Sequence, residues 1–105
     1  MSTIILDALG VQQMASGHLG LNLSAKVDWD DFPEFAKSIL RQCNGTVLDK
    51  TESVDIRMWH VKIDDVAIRL VYDDYPLMVS MESSDSAGDR MLQELYVKFE
   101  SAKPK

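Results

Sequence analysis

One stretch of the chain, from Asp55 to Ser83, constrains the fold more than any other, because apolar and polar residues alternate through three successive segments of it. Alternation with a period of two is the pattern of β-strands that bury one face. Two sequences rich in turn-forming residues, Asp64-Asp65 and Asp73-Asp74-Tyr75-Pro76, separate the three segments. The stretch is therefore predicted to fold as a three-stranded antiparallel meander.

The two turns set the register of this meander. With a two-residue loop at Asp64-Asp65, the predicted pairs are Ile63 with Val66, Val61 with Ile68, Trp59 with Leu70, and Arg57 with Tyr72. With a four-residue loop at Asp73-Asp74-Tyr75-Pro76, the predicted pairs are Tyr72 with Leu77, Leu70 with Val79, and Ile68 with Met81. Almost every large apolar residue then lies on one face, whereas a slip of one residue would scatter them over both faces.

A helix is predicted after Asp30, which is suited to be its N-cap, with Pro33 at the third helical position, where the missing N–H costs no intrahelical bond. Asp31 and Glu34 lie at the positive end of the helix dipole. The pair Asn44-Gly45 favours the left-handed conformation that ends a helix. The apolar residues recur with a helical period on one stripe, formed by Phe32, Phe35, Ala36, Ile39, Leu40 and Cys43.

The remaining segments complete the fold prediction. Leu19 to Val27 alternates as a strand, Thr46 to Thr51 is typical of another strand, and the cluster from Ser83 to Ser86 precedes a second helix. That helix places five apolar residues on one side, namely Met91, Leu92, Leu95, Tyr96 and Phe99. Two amphipathic helices need one apolar sheet face to cover. The prediction is an α+β fold, a two-layer sandwich in which two helices pack on one face of an antiparallel sheet of about five strands, in the order β-α-β-β-β-β-α.

The chain is expected to form a single domain over residues 1–105. Residues 1–18 are poorly defined by their pattern, since they fit either a short helix or an edge strand at Ile4 to Leu6, followed by a turn at Ser16-Gly17-His18. Residues 102–105, which include Pro104, are expected to be a frayed tail.

Composition limits the cellular setting and the class of partner. The single cysteine cannot form an internal disulfide, and no basic residue precedes Lys26, so a reducing cytoplasm is favoured over secretion. No apolar run has the length of a membrane span. A formal net charge of −6 disfavours binding to nucleic acid and suits a partner with a basic surface, although such a charge also serves simply to keep a domain in solution.

The sheet face opposite the predicted helices is the sharpest candidate site. The predicted register places His60 opposite Arg69, Arg69 opposite Ser80, and an apolar row at one end of the face. Flexible methionines beside polar groups suit an interface, with another protein or with a second copy. The alternative is a solvent-facing sheet with a few apolar residues. The candidate interface residues are Met58, His60, Arg69, Val71, Met78 and Ser80, and the apolar row is formed by Met58, Val71 and Met78.

Motifs for catalysis or for cofactors do not emerge from the pattern. Cys43 falls on the apolar stripe of the first helix and is expected to be buried, and its spacing from His18 and His60 suggests no nucleophile–base pair. The histidines and the cysteine match no zinc spacing, the paired aspartates match no calcium loop, and the glycines form no phosphate-binding loop. We therefore expect no metal and no cofactor. Trp29 and Tyr75, at a helix start and in a turn, are expected to be exposed.

Several short markers are similar to those of one family. They are Trp29-Asp30-Asp31-Phe32, Gly45 to Lys50, Arg57-Met58-Trp59, and Tyr72-Asp73-Asp74-Tyr75. With them the chain resembles, from about Leu19 onward, a domain-of-unknown-function family of small, roughly hundred-residue gammaproteobacterial proteins. The resemblance implies a cytoplasmic bacterial protein and carries no catalytic or binding residue with it.

Two functions from different classes follow from these observations. The leading hypothesis is a non-enzymatic protein-binding or adaptor module that works through the open sheet face or the acidic turns, for example an inhibitor of a basic toxin or an acidic chaperone. The alternative is an enzyme or small-ligand binder whose site is assembled from His60, Arg69, Ser80 and Glu82. A concave cavity with converging polar groups would favour the alternative, and a flat or gently curved patch would favour the binding module.

Overall fold

A six-stranded antiparallel sheet with two helices is the architecture of the chain, in a computed structural model that describes residues 6–54, 56–74 and 76–102. The elements are β1 (Gly10–Gln13), β2 (Leu19–Ser24), α1 (Phe32–Cys43), β3 (Thr46–Glu52), β4 (Ile56–Ile63), β5 (Val66–Asp74), β6 (Leu77–Glu82) and α2 (Ser86–Ser101). The strands follow one another across the sheet in the order β1-β2-β6-β5-β4-β3. The segment containing α1 therefore carries the chain from β2, near one edge, to β3 at the opposite edge.

The predicted fold class is confirmed, with one strand more than expected. The additional strand is β1, which pairs along the outer edge of β2. Its four residues, Gly-Val-Gln-Gln, are too short to show a recognisable period. Of the strand considered at Ile4 to Leu6, only Leu6 belongs to the described residues, and it lies outside a strand.

The first hairpin has the predicted register. Ile63 pairs with Val66, Trp59 with Leu70, and the remaining predicted pairs follow in step. Asp64 and Asp65 both have positive φ, 49° and 65°, as a type I′ turn requires. A two-residue loop of this kind matches the right-handed twist of the strands and so fixes the pairing.

The predicted register of the second hairpin is wrong by two residues. Tyr72 pairs with Val79 rather than with Leu77, because β5 continues to Asp74, which pairs with Leu77. The strand continues through residues whose type suggested a turn, and the hydroxyl of Tyr72 donates to Asp74 Oδ1 at 3.0 Å. A shift of two leaves every side chain on its predicted face, since the side-chain period of a strand is two.

Helix α1 covers the β4–β5 half of the sheet with an aromatic cluster. It begins one residue later than predicted, with Asp31 as N-cap and Pro33 at the second helical position, and Asn44 ends it in the left-handed conformation at φ 57°. The ring of Phe32 packs edge-on against Trp59, with 5.2 Å between centroids. Trp29 was expected to be exposed but is half-buried, because it packs against the core.

Helix α2 covers the other half, packing on β1, β2, β5 and β6. The side chain of Asp85, its N-cap, accepts from the N–H of Gly88 at 2.7 Å. Lys98, in the last turn of α2, donates to the carbonyl of Gln42 at 2.6 Å. That bond joins the end of α2 to the last turn of α1.

The core lies between the helices and one sheet face, as predicted. Its sheet side is formed by alternate strand residues that are almost completely buried, among them Leu21, Trp59, Ile68, Leu70, Val79 and Met81. The helices contribute Ile39, Leu95 and Phe99, which are also buried, whereas Phe35 and Tyr96 are only partly buried. The side chains of the opposite sheet face therefore lie outside this core.

Candidate functional site

The candidate site is the sheet face that points away from both helices, called the open face below. Residues that pair across an antiparallel sheet share a face, so the register arranges this face in rows that run from β1 to β3. One row consists of Gln12, Gly20, Glu82, Arg69, His60 and Asp49. The next row consists of Gly10, Asn22, Ser80, Val71, Met58 and Thr51.

The first row is polar and contains an ion pair. The guanidinium of Arg69 lies 3.3 Å from Glu82 Oε1, between two half-buried side chains. His60 lies opposite Arg69 as predicted. The predicted pairing of Arg69 with Ser80 is wrong, since the two-residue shift of β6 brings Glu82 to that position and places Ser80 opposite Val71.

The apolar side chains of the open face form a broken cluster rather than the predicted row. Met58 and Val71 pair directly, but Ser80 takes the position beyond Val71. Met78 lies one step along β6, opposite Asp73. Ile56, on the far side of Asp73, also belongs to this face and is exposed.

Val71 is the most buried of these apolar residues, with 8% of its surface exposed, although neither helix covers it. Met58 and Met78 are half-buried. Exposed apolar surface that is grouped beside polar residues is typical of sites that bind another molecule. The open face thus contains two adjacent parts. One is a polar row whose charge is partly neutralised by the Arg69–Glu82 ion pair, and the other is an apolar cluster that neither helix covers.

A shallow concavity of about 280 Å³ lies on the open face where the strands β1, β2, β6 and β5 meet, and we call it the open-face concavity. Its lining residues are Gln12, Asn22, Val71, Asp73, Pro76, Met78, Ser80 and Glu82. The volume is slightly below the roughly 300–1,000 Å³ of typical small-molecule pockets. Three of the six residues predicted for the interface, Val71, Met78 and Ser80, line it.

A wider depression of about 530 Å³ lies elsewhere, between the C-terminal half of α1 and the start of β3. Its lining side chains are aliphatic, amide or basic, namely Lys37, Leu40, Arg41, Asn44 and Val47, together with Gly45. It is open to solvent along most of its extent. Its described lining residues include no carboxylate, hydroxyl, thiol or imidazole, and its one amine, Lys37, is exposed and lies 3.9 Å from Glu34 Oε1.

The four residues of the alternative site are only partly brought together. His60, Arg69 and Glu82 occupy one row, in which the Arg69–Glu82 ion pair engages the carboxylate. Ser80 lies in the next row, and it lines the open-face concavity together with Glu82, whereas His60 and Arg69 do not. The set therefore spans two rows and does not converge on a single cavity.

Cys43 lies on the covered side of the sheet, as predicted. Its Sγ donates to the carbonyl of Ile39 at 3.3 Å, and burial raises the pKa of the thiol. His18 is engaged elsewhere, with Nδ1 3.0 Å from Asp89 Oδ2 at the start of α2. His60 belongs to the open face, so neither histidine forms a nucleophile–base pair with the thiol.

Over the described ranges, three or more His, Cys, Asp or Glu side chains do not come together in a group that could hold a metal ion. Among the helices that the structure describes, none has both the length and the apolar character required to cross a membrane.

Residues 9–99 match the model of a family described as "Protein of unknown function (DUF3630)". The chain belongs to this family. The match agrees with the resemblance to a domain-of-unknown-function family, and it covers both helices almost completely and all six strands. No curated protein and no solved structure matches the chain.

Several residues of the open face in this DUF3630 member were not identified from the sequence, among them Ile56, Asp73, Asn22 and Gln12. Ile56 stands two positions before Met58, so the period of β4 was a signal that could have found it. Asp73 was assigned to a turn because of its residue type. Asn22 and Gln12 belong to this face only because β2 and β1 lie beside β6, and strand order is not encoded in a local pattern.

Proposed function

We propose that this DUF3630 protein is a non-enzymatic binding or adaptor module of the cytoplasm, which binds another protein through the open face. The observation that supports this most is the apolar cluster of Met58, Val71 and Met78, whose side chains lie outside the core that the helices cover. Methionine side chains adapt to the shape of a partner because they are unbranched and flexible.

The polar row gives the same face a means of selecting its partner. Arg69 and Glu82 present opposite charges close together, and the imidazole of His60 lies opposite Arg69 in the same row. Paired charges at the rim of an interface fix orientation and exclude wrong partners more than they add affinity. An apolar centre with a polar rim is the common arrangement of protein–protein interfaces.

The net charge of −6 supports a protein partner over nucleic acid, since a negative domain repels phosphate backbones. Membrane binding is not part of the proposal. A bacterial, and specifically gammaproteobacterial, source is proposed on the resemblance of the sequence markers. Inhibition of a basic toxin and chaperoning of an exported protein are two activities that fit an acidic module of this kind.

Met78→Lys tests the proposal, because it places a charge in the apolar cluster without touching the core. We expect the variant to lose its protein partner in affinity capture while its melting temperature stays within a few degrees of the wild type. The captured protein is then identified by mass spectrometry and its binding is reconstituted with purified components.

Val97→Lys is the matched control, since Val97 is 62% exposed on α2, away from the open face. It introduces the same charge and should retain the partner. Equal loss of binding in both variants would indicate a charge effect and contradict the proposal. Outright unfolding of Met78→Lys would show instead that the open face is part of the core.

A further inference from the structure

We propose that the open-face concavity binds one basic side chain, a lysine or an arginine, of a partner protein with a basic surface. The inference depends on the proposed function, because it requires the open face to bind protein. It adds to that function the chemistry of the group that the partner inserts.

The floor of the concavity suits the aliphatic part of such a side chain. Val71, which is almost fully buried, and the half-buried Met78 supply the apolar surface. Lysine and arginine bury their methylene groups against apolar surface while the charged end remains among polar groups. A volume of about 280 Å³ accommodates one extended side chain rather than a large ligand.

The polar lining suits the cationic end. Asp73 and Glu82 contribute carboxylates, which accept hydrogen bonds only, and Ser80 contributes a hydroxyl. Gln12 and Asn22 add amide oxygens. Among the described residues that line the concavity there is no Lys, Arg or His, so a cation meets acceptors there, whereas an anion meets the carboxylate of Asp73 and that of Glu82, which is paired with Arg69.

Arg69 does not remove Glu82 from this role. It approaches Oε1 at 3.3 Å, and an ionised carboxylate offers further lone pairs on both of its oxygens. A second guanidinium or ammonium can therefore bind the same carboxylate. Hydrogen bonds between ionised groups are about twice as strong as neutral ones, and arginine is enriched among the residues that dominate binding energy at interfaces.

Charge complementarity selects a foreign basic protein over a second copy of this chain. Two copies that each carry a net charge of −6 repel one another at long range, whereas a basic protein is attracted and oriented. The concavity then provides the short-range acceptor site for one of the partner's cationic side chains.

Blocked amino acids test the inference without knowledge of the partner. The probes are N-acetyl-arginine amide, N-acetyl-lysine amide and, as the uncharged control, N-acetyl-norleucine amide. We expect the two cationic probes to shift the backbone amide resonances of Asn22, Val71 and Ser80 in a saturable manner, with binding that weakens as salt is added. Norleucine amide should give no saturable shift at these positions.

Two kinds of variant remove the site by different means. Asp73→Asn combined with Glu82→Gln removes its charge, and Ser80→Leu fills the concavity without changing charge. We expect each to weaken binding of the arginine probe about tenfold or more. The control combines Asp30→Asn with Glu94→Gln, which removes two charges from exposed positions outside the sheet and should leave binding unchanged. Equal weakening in the control would overturn the inference, as would saturable binding of norleucine amide.

The same variants separate this inference from the proposed function. If Met78→Lys loses the partner but the Asp73→Asn/Glu82→Gln variant retains it at full affinity, the open face is an interface and the basic-side-chain site is wrong. If wild-type protein dimerises and Met78→Lys is monomeric in sedimentation, the occupant is a second copy and the inference is overturned. If Met78→Lys retains the partner, the proposed function fails, and the basic-partner inference fails with it.

Discussion

The two faces of the sheet are built by the same strands, yet their side chains have different surroundings. On the covered face, Trp59 and Leu70 are 2% and 0% exposed beneath the helices. Their chain neighbours Met58 and Arg69, on the open face, are half-buried. Since successive residues of a strand point to opposite sides, a single step along the chain changes a side chain from core to surface.

The difference lies in what covers each face rather than in the strands themselves. The covered face packs against the apolar stripes of both helices, so its apolar side chains are buried in contact with other parts of the chain. The open face groups apolar residues beside an ion pair and a concavity, where nothing described in this chain covers them. The first face accounts for stability, and the second is the surface on which a partner can bind.

The largest difference in stability between the two faces is expected from alanine substitutions at neighbouring positions of β5. Leu70→Ala should lower the free energy of unfolding by about 2–5 kcal/mol, because it leaves a cavity beneath the helices. Val71→Ala should cost only about 1–2 kcal/mol, the transfer free energy of two methyl-sized groups. Urea denaturation measures both.

Equal m-values in the two variants would show that the comparison concerns the folded state alone. If Val71→Ala proves as destabilising as Leu70→Ala, the open face is packed as tightly as the core, and the contrast between the faces is wrong.

Sequence alone specified the covered face well, and the two hairpins show why. The Asp64-Asp65 loop has one favoured geometry, so every pair of the first hairpin was predicted. The second reversal offered several turn-forming residues in a row, and the register was therefore misplaced by two. The core survived this error because a two-residue shift preserves the buried face.

The open face could be predicted only in part, for the same physical reason. An error of two residues preserves the face but changes the partners, so Arg69 was assigned to Ser80 instead of Glu82. The concavity is lined by residues of four strands. Two of these strands, β1 and β2, lie beside β6 and β5 only because of the strand order of the sheet, which local periodicity does not reveal. The six predicted interface residues are on this face, but their mutual contacts required the tertiary structure.

A smaller effect on stability is expected from the contact between the start of α2 and the start of β2. This contact helps to hold helix α2 on the sheet. Asp89 Oδ2 lies 3.0 Å from His18 Nδ1, and Oδ1 accepts from the N–H of Leu19 at 2.8 Å. The hydrogen bond with His18, followed by that with Leu19, lowers the pKa of Asp89 from its ordinary 3.8. A carboxylate with a lowered pKa stabilises the fold above that ordinary value, and the contribution is lost as pH falls through the lower folded value.

Asp89→Asn should therefore lower the melting temperature at neutral pH. Below pH 3.8, the melting temperature of the variant should fall less steeply with decreasing pH than that of the wild type. Glu94→Gln, at an exposed position of the same helix, is the control and should leave the acid limb unchanged. Part of the acid dependence should survive in Asp89→Asn because of Asp7. Burial alone would raise the pKa of Asp7, but hydrogen bonds from Ser24 and Ala25 outweigh it and lower that pKa. An unchanged acid limb in Asp89→Asn would show that this attachment contributes nothing to stability.

The smallest effect on stability, and the most direct readout of the two faces, is expected from thiol labelling. Cys43 is 5% exposed on the side of the sheet that the helices cover, and burial raises its pKa, so little reactive thiolate is present and iodoacetamide should label it slowly.

Cys43→Ala should lower the free energy of unfolding by only about 1 kcal/mol. In that background, Ser80→Cys places the only thiol in the open-face concavity, where labelling should be much faster. Addition of the protein partner should slow labelling at position 80, while labelling of Cys43 in the wild type should stay as slow as before. Fast labelling of Cys43 would show that the helices leave the covered face often, and slow labelling at position 80 without a partner would show that the open face is covered within the chain itself.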